Sequence, residues 1–197
     1  MSKIITNIND LGLNGSCTYT DYLLWQFSER IEIIKGKILK MNSAPGRSHQ
    51  QVLLKLTREL DKYFINLNCE LYIAPFDVRL INFKKSTADN QILTVVQPDL
   101  CVICDLLKLD EKGCLGAPNL IIEILSTGNL NTDLKIKFDL YEENGVQEYW
   151  IVNPSEKTAL IYTLQNDKYI GSRPFTIDTE IQSVIYPELK FGVNKLF

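Results

Sequence analysis

The sequence contains no continuous apolar run close to the length of a membrane span. A transmembrane helix needs about 20 consecutive apolar residues, and the N-terminal stretch MSKIITNIND also lacks the apolar core of a signal peptide. The formal net charge of −3 excludes a protein that attracts nucleic acid through its overall field, so any such binding has to come from a local patch. We therefore expect a cytoplasmic protein without a membrane segment.

Cysteines are few and irregularly spaced. There are five, at positions 17, 69, 101, 104 and 114, and an odd number at scattered spacing argues against a disulfide framework. Cys101 and Cys104 form a C-x-x-C, but in the strand-like run LCVIC residues three apart face opposite sides, so no shared zinc site is expected. We expect small buried thiols in a reducing compartment.

What is present is the pattern of one α/β domain. Hydrophobic residues make up 45% of the 197 residues, enough for a single core. Residues 1–17 are polar and irregular and are expected to form a loose lead-in to a domain that covers 1–197. The run RIEIIKGKILKMN predicts a β-hairpin that turns at Gly36. Apolar residues at helical spacing predict a long helix from about Ser48 to Ile65.

Short apolar runs predict further strands, namely CELYIAP, FDVRLINF, PDLCVICD, NLIIEIL, QEYWIVNP, TALIYTL and KYIGSRPF. A short helix is expected from Thr18, with Thr20 as its N-cap, and another from Asp133 to about Asn144, ended by Gly145. Residues 191–197 are expected to form a short tail. Helices before and after paired strands favour an α/β domain with a mixed sheet.

An acidic residue interrupts one of these apolar strands. Glu123 lies inside NLIIEIL, where desolvating a carboxylate is costly unless the charge is compensated. Asp99 begins the strand PDLCVIC, and neighbouring strands lie about 4.8 Å apart, so both carboxylates can converge on one point. A divalent cation removes their repulsion, because Mg²⁺ accepts one or two carboxylates together with water and phosphate. Glu123 at a sheet edge, or paired with a buried lysine or tyrosine, is the alternative.

A lysine two residues after Glu123 would share its face, but that position is Leu125. The following helix offers Lys137, which lies four residues after Asp133 and can reach over Leu125 toward Glu123. The alternative for Lys137 is an exposed pair with Asp133 that contributes only about 0.3 kcal/mol.

Seven segments follow one another in a consistent order: IEIIKGKI, SHQQVLLKLTREL, APFDVRL, PDL at 98–100, PNLIIEILS, D-x-x-x-K-x-x-x-Y (133, 137, 141) and NGVQEYWIVNP. Together they resemble the Uma-two family, a bacterial group of restriction-endonuclease-like proteins within the PD-(D/E)xK nuclease superfamily. The similarity covers roughly residues 18–197. The chain departs from the family pattern in STGN after the glutamate strand and at Asn119 and Asn153, which affects loop geometry and removes no acidic residue.

The resemblance implies a restriction-endonuclease-like fold, a mixed β-sheet flanked by helices with an N-terminal β-hairpin and a C-terminal β-meander, and a metal site at one sheet edge. It implies that Asp99 and Glu123 bind Mg²⁺ or Mn²⁺, with the backbone carbonyl of Ile124 as a further ligand, and that Lys137 replaces the strand lysine. Asp77 is implied as a further acidic wall of the site. Glu32 and His49 are implied as supporting or substrate-facing residues.

The function expected from this combination is metal-dependent hydrolysis of phosphodiester bonds, as in a DNA endonuclease. The resemblance also implies a homodimer. Local basic residues are the candidates for nucleic-acid binding, and a solvated surface is their alternative; they are Lys35, Lys37, Lys40, Arg47, Lys84 and Lys85. Two other interpretations remain open. One is a binding module for nucleic acid or protein that keeps the fold without turnover, and the other is a purely structural ion-pair network.

Overall fold

The computed structural model describes residues 4–11, 15–41, 45–81, 87–126 and 130–197, and for 130–133 the backbone alone. These ranges contain three α-helices, α1 (Tyr19–Tyr22), α2 (Arg47–Phe64) and α3 (Leu130–Glu143). The strands, in chain order, are β1 (Ile31–Ile34), β2 (Lys37–Lys40), β3 (Glu70–Ile73), β4 (Val78–Arg79), β5 (Val95–Val96), β6 (Leu100–Ile103), β7 (Leu109–Asp110), β8 (Gly113–Leu115), β9 (Leu120–Ile124), β10 (Glu148–Asn153), β11 (Thr158–Gln165), β12 (Lys168–Gly171), β13 (Glu180–Gln182) and β14 (Lys190–Gly192).

The strands form two large mixed sheets. Sheet A has the order β2-β1-β5-β4-β8-β7 and sheet B the order β12-β11-β10-β9-β6-β3, while β13 pairs with β14. In sheet B, β9 runs parallel to β10 and antiparallel to β6. The predicted mixed α/β fold, with its N-terminal hairpin β1–β2 and its meander β10–β11–β12, is confirmed.

Sheet B separates two apolar cores. Alternate residues of its inner strands face opposite sides, because successive side chains of a strand point to opposite faces. Leu100 and Ile122 face α2, which contributes Leu56 and Leu60 to the first core. The second core lies between the other face of sheet B, α3 and residues of sheet A such as Val78. Polar residues that face α3 at the end of β9 therefore lie between the two sheets.

The predicted turn of the β1–β2 hairpin at Gly36 is confirmed. The hairpin turns at Lys35 and Gly36, whose φ values of 52° and 80° lie in the left-handed region that favours glycine. The predicted N-cap of α1, Thr20, is wrong by two residues. Thr18 rather than Thr20 caps α1, because Thr18 and Asp21 form a capping box.

Both chain ends are more tightly packed than predicted. In the lead-in, Ile8 and Leu11 are buried against Ile31. In the predicted tail, Phe191 and Leu196 are buried in the first core, to which α2 also contributes. Neither segment has the periodicity of a long element, so the sequence alone did not show that tertiary packing would hold them.

The expectation of unpaired thiols was wrong for one pair. Cys69 and Cys104 form a disulfide. They become neighbours because β3 and β6 pair antiparallel with Glu70 opposite Ile103, which places the next residues outward across from each other. Cys101 lies on the opposite face of β6, as predicted from the C-x-x-C spacing. No helix in the described ranges is both long and apolar enough to cross a membrane.

Candidate active site

Two predicted acids meet at one end of the inner strands of sheet B. Leu100 lies opposite Ile122 in the antiparallel pair β6–β9, and continuing that register places Asp99 opposite Glu123. Asp99 Oδ2 accepts a hydrogen bond from the backbone N–H of Ile124 at 2.8 Å. The two acids therefore lie at the ends of neighbouring inner strands of sheet B, and not on one of its edge strands.

Helix α3 supplies two donors to Glu123. Lys137 Nζ lies 2.8 Å from Glu123 Oε1, and the Tyr141 hydroxyl donates to the same oxygen at 2.7 Å. The two donors are four residues apart and so share one helical face. Lys137 is 12% exposed in its side chain, so it is not the exposed surface partner that the alternative required.

Glu32 joins this cluster from the hairpin. Its side chain is only 1% exposed, and its Oε1 accepts from Lys137 Nζ at 3.1 Å. The same oxygen accepts from the backbone N–H of Gln97 at 2.9 Å. Lys137 therefore bridges a carboxylate of sheet A and one of sheet B, and it compensates two buried charges at once.

His49 reaches Asp99 from the first turn of α2. Its Nε2 donates to Asp99 Oδ2 at 3.1 Å, since a carboxylate oxygen can only accept. The other ring nitrogen, Nδ1, is buried and has no hydrogen-bond partner among the described residues. The histidine thus orients Asp99, on the oxygen that also receives the Ile124 amide.

Asp77 is connected to the cluster through Gln97. Its Oδ1 accepts from the Gln97 side-chain amide at 2.9 Å and from the Tyr22 hydroxyl at 3.2 Å. Gln97 connects Asp77 to Glu32, because its backbone N–H binds the latter. Asp77 and Glu32 therefore belong to one hydrogen-bonded network, in which Gln97 donates to both of them.

All four carboxylates share one arrangement. In Glu32, Asp77, Asp99 and Glu123, one oxygen accepts two hydrogen bonds, and no described residue donates to the other oxygen. The clamped oxygen fixes the side chain and leaves the second oxygen available to a cation. Within the described ranges no group of three or more His, Cys, Asp or Glu side chains forms a complete metal site. Mg²⁺ does not require one, because it is held by one or two carboxylates plus water and substrate phosphate.

The electrostatics of the cluster follow from its burial. Burial raises the pKa of Glu123 to about 7, which Lys137 opposes and the charges of Asp99 and Glu32 reinforce. Burial lowers the pKa of Lys137, but the attraction of Glu123 and Glu32 outweighs it and leaves that pKa above its ordinary value. Burial and then the Glu123 charge hold the pKa of Tyr141 well above 10, so its hydroxyl stays a donor. The site thus carries more negative charge than Lys137 alone offsets.

The predicted nucleic-acid contacts lie in different environments. Lys35 forms an ion pair with Glu143 at 2.8 Å, and this pairing competes with binding of a phosphate. Lys37 and Lys40 are exposed on β2, and Arg47 is exposed at the start of α2, two residues before His49. Lys84 and Lys85 lie outside the described residues, as does the side chain of Asp133. The carbonyl of Ile124 is adjacent to Glu123, and its role as a ligand stays a prediction.

Sequence reasoning missed part of the network. Gln97 binds Glu32, Asp77 and Tyr22, and Tyr141 holds Glu123. The only signal for Gln97 is its place directly before Pro98-Asp99, and a single glutamine carries no periodic pattern. Tyr141 belongs to the helix motif quoted above, but the motif does not show that its hydroxyl binds Glu123. Tyr22 gave no sequence signal that separates it from a core tyrosine.

Removing the Tyr141 hydroxyl tests how strongly Glu123 is held. On the metal-binding role that the resemblance implies for Glu123, Tyr141→Phe, which keeps the buried ring, is expected to weaken Mn²⁺ binding about 10- to 100-fold, the usual cost of losing a partner that orients a metal ligand. Isothermal titration calorimetry with Mn²⁺ measures this. The control is Tyr149→Phe, because the neighbouring Tyr149 hydroxyl is buried without a partner in the described part of the chain. Equal Mn²⁺ affinity of both variants and wild type would show that Tyr141 does not orient Glu123.

The sequence matches a family model and a curated relative. A family model described as "Putative restriction endonuclease" matches residues 19–194, nearly the whole chain. A curated relative, "Uncharacterized protein slr1290" of Synechocystis sp., is 23% identical over 150 residues, which cover 75% of this chain and 74% of the relative.

A solved structure shares the fold. It is described as a "putative nuclease belonging to DUF820" from Anabaena variabilis, and it superposes with a TM-score of 0.69 at 20% sequence identity. The superposition covers 92% of this chain and 97% of that protein. At this identity the likeness establishes the fold.

Proposed function

The chain belongs to the Uma2 family, described as "Putative restriction endonuclease", and we propose that it is a metal-dependent nuclease that hydrolyses phosphodiester bonds of nucleic acid. The substrate class is DNA, cut internally, and the cofactor is Mg²⁺ or Mn²⁺. The observation that carries this proposal is the register that places Asp99 opposite Glu123, each with one oxygen clamped and one free of described partners.

A divalent cation fits these residues. Asp99 and Glu123 would hold it through their free oxygens, with the Ile124 carbonyl, and with Asp77 as a more distant candidate. Two carboxylates are the number that Mg²⁺ commonly takes from a protein, and the excess negative charge of the cluster is the charge that a cation would offset. When bound, the cation would polarise the phosphate and lower the pKa of an attacking water.

Lys137 acts in this proposal as a fixed positive charge. Because its pKa is raised, it stays protonated at neutral pH and does not serve as the general base. Its ammonium group contacts Glu123 and lies between the two sheets, where it can stabilise the negative charge that develops on the phosphate. His49 and the Ile124 amide hold Asp99, and Tyr141 holds Glu123, so these residues position the acids.

The direct test is cleavage of plasmid, single-stranded DNA and RNA by the purified chain in Mn²⁺ or Mg²⁺, with EDTA as the metal-free control. We expect cleavage of DNA that requires the cation. Mn²⁺ binding without cleavage of any of these substrates would contradict the nuclease proposal. Homodimer formation and a cytoplasmic location stay predictions from the family resemblance and the sequence.

The alternative is a nucleic-acid or protein binding module that keeps the nuclease fold. One observation favours it: Glu123 already accepts hydrogen bonds from Lys137 and Tyr141, so its buried carboxylate has partners other than a cation. Such a module would bind its partner equally well in EDTA and in Mn²⁺, whereas the nuclease requires the cation for turnover.

A further inference from the structure

Arg30 extends the strand that carries Glu32. The backbone N–H of Met41 donates to the Arg30 carbonyl at 3.0 Å, which continues the β1–β2 ladder by one residue pair. Residues two apart in an extended chain point to the same side and lie about 7 Å apart. Arg30 therefore lies on the side of the hairpin from which Glu32 reaches Lys137, one step closer to solvent.

The guanidinium group of Arg30 is held in a fixed orientation. Its Nε and Nη2 donate to the side-chain oxygen of Gln97 at 3.2 and 3.0 Å. The orientation of the Gln97 amide is itself determined, because its nitrogen must face the Asp77 carboxylate, which can only accept. Gln97 also donates to Asp77 and, through its backbone N–H, to Glu32, so Arg30 is connected to the acidic cluster through Gln97.

Most of the donor capacity of Arg30 remains unused. A guanidinium carries five N–H donors, of which the contacts with Gln97 occupy two. Arg30 is exposed and forms no ion pair with any acidic residue in the described ranges. Lys35, by contrast, is paired with Glu143, and Lys137 is buried between two carboxylates. Arg30 is therefore an unpaired, pre-oriented cation beside the site.

We propose that Arg30 binds a backbone phosphate of the substrate, next to the phosphate that reacts. This inference rests on the proposed nuclease function. It adds a contact between the substrate backbone and a residue beside the acidic cluster. A polyanion that approaches four carboxylates is repelled, and Lys137 is already engaged by two of them. Arginine presents paired N–H donors that match two phosphate oxygens, so an arginine fixed at the rim offsets this repulsion and aligns the strand.

The role of Gln97 follows from the same contacts. It acts as a positioning residue, because it joins the arginine that binds substrate to the acids that hold the cation. The glutamine is neutral, so it orients Arg30 without neutralising its charge. An aspartate or glutamate at this position would pair with Arg30 and remove the charge from the substrate.

The test compares Arg30→Ala, Arg30→Lys and a control, Arg58→Ala, in the steady-state cleavage of a DNA duplex over a range of salt concentrations. Arg58 is exposed on α2, roughly 14 Å along the helix from His49 at 1.5 Å per residue. For Arg30→Ala we expect KM to rise about 10-fold with kcat changed less than about 3-fold, and the slope of log KM against log salt to fall by about 1. Arg30→Lys should restore the salt slope and only part of the KM, because lysine keeps the charge and loses the paired donors.

Two further measurements separate this role from a structural one. Mn²⁺ affinity by calorimetry and the Tm of Arg30→Ala should equal those of wild type. An unchanged KM and salt slope, or the same changes in Arg58→Ala, would overturn the assignment while leaving the nuclease proposal intact. A loss of Mn²⁺ affinity would overturn it as well, since Arg30 would then support the acids. No cleavage by wild type despite Mn²⁺ binding would overturn the nuclease proposal, and this inference with it.

Discussion

Glu123→Gln is expected to lower Mn²⁺ affinity by at least about 100-fold and cleavage by about 1,000-fold or more, as losses of charged groups that act in the transition state do. The change keeps the size of the side chain and the acceptor for Tyr141, but it removes the charge that a cation requires. The fold should persist, because Lys137 keeps Glu32 as its buried partner at 3.1 Å. The loss should therefore appear in metal binding and turnover rather than in Tm.

The measurement is Mn²⁺ titration by calorimetry, followed by cleavage rates in the same buffer. The matched control is Glu156→Gln, which makes the same chemical change at an exposed position beyond the end of β10. Wild-type behaviour is expected there. If Glu123→Gln bound Mn²⁺ as tightly as wild type and cleaved at the same rate, Glu123 would have no role in the metal site.

Lys137→Met is expected to destabilise the metal-free protein by about 3–5 kcal/mol, the cost of leaving a buried charge without its partner. Glu32 would lose its only ion-pair partner in the described ranges, and its side chain is 1% exposed. Glu123 would lose its ammonium contact at 2.8 Å as well. Cleavage should fall by about 100-fold or more, because the positive charge beside the phosphate is gone.

Urea unfolding with and without Mn²⁺ measures the stability effect. Mn²⁺ should recover part of the lost free energy of unfolding, because a ligand that binds only the folded state stabilises it. Lys135→Met is the control, since Lys135 forms an exposed pair with Asp139, of a kind that contributes less than about 1 kcal/mol. Equal stability of Lys137→Met and wild type would show that the lysine bridge does not compensate Glu32.

The parts of the fold that depend on local patterns could be predicted from the sequence. Gly36 specified the hairpin turn, and helical spacing specified α2 to within about one residue at each end. The placement of Asp99 opposite Glu123 could be predicted only with the family resemblance, because neither apolar run by itself shows which strand it pairs with. The resemblance supplied that pairing, and the register shows how the two acids come to face each other.

The remaining features depend on long-range pairing that no local pattern encodes. The strands β5 and β7 have two residues each, too short for alternation to be visible. The Cys69–Cys104 disulfide depends on the register between β3 and β6. Gln97 contacts residues up to 75 positions away, so its place in the network follows from tertiary structure alone.

We propose that Asp99 and Glu123 hold one divalent cation between them. Anomalous diffraction from a crystal soaked in Mn²⁺ tests this most directly. We expect one anomalous peak at about 2.0–2.3 Å from an oxygen of each side chain, a distance range typical of small divalent cations bound by carboxylates. A peak at other residues, with Glu123 still bound to Lys137 and Tyr141 and neither acid in contact with the ion, would contradict it.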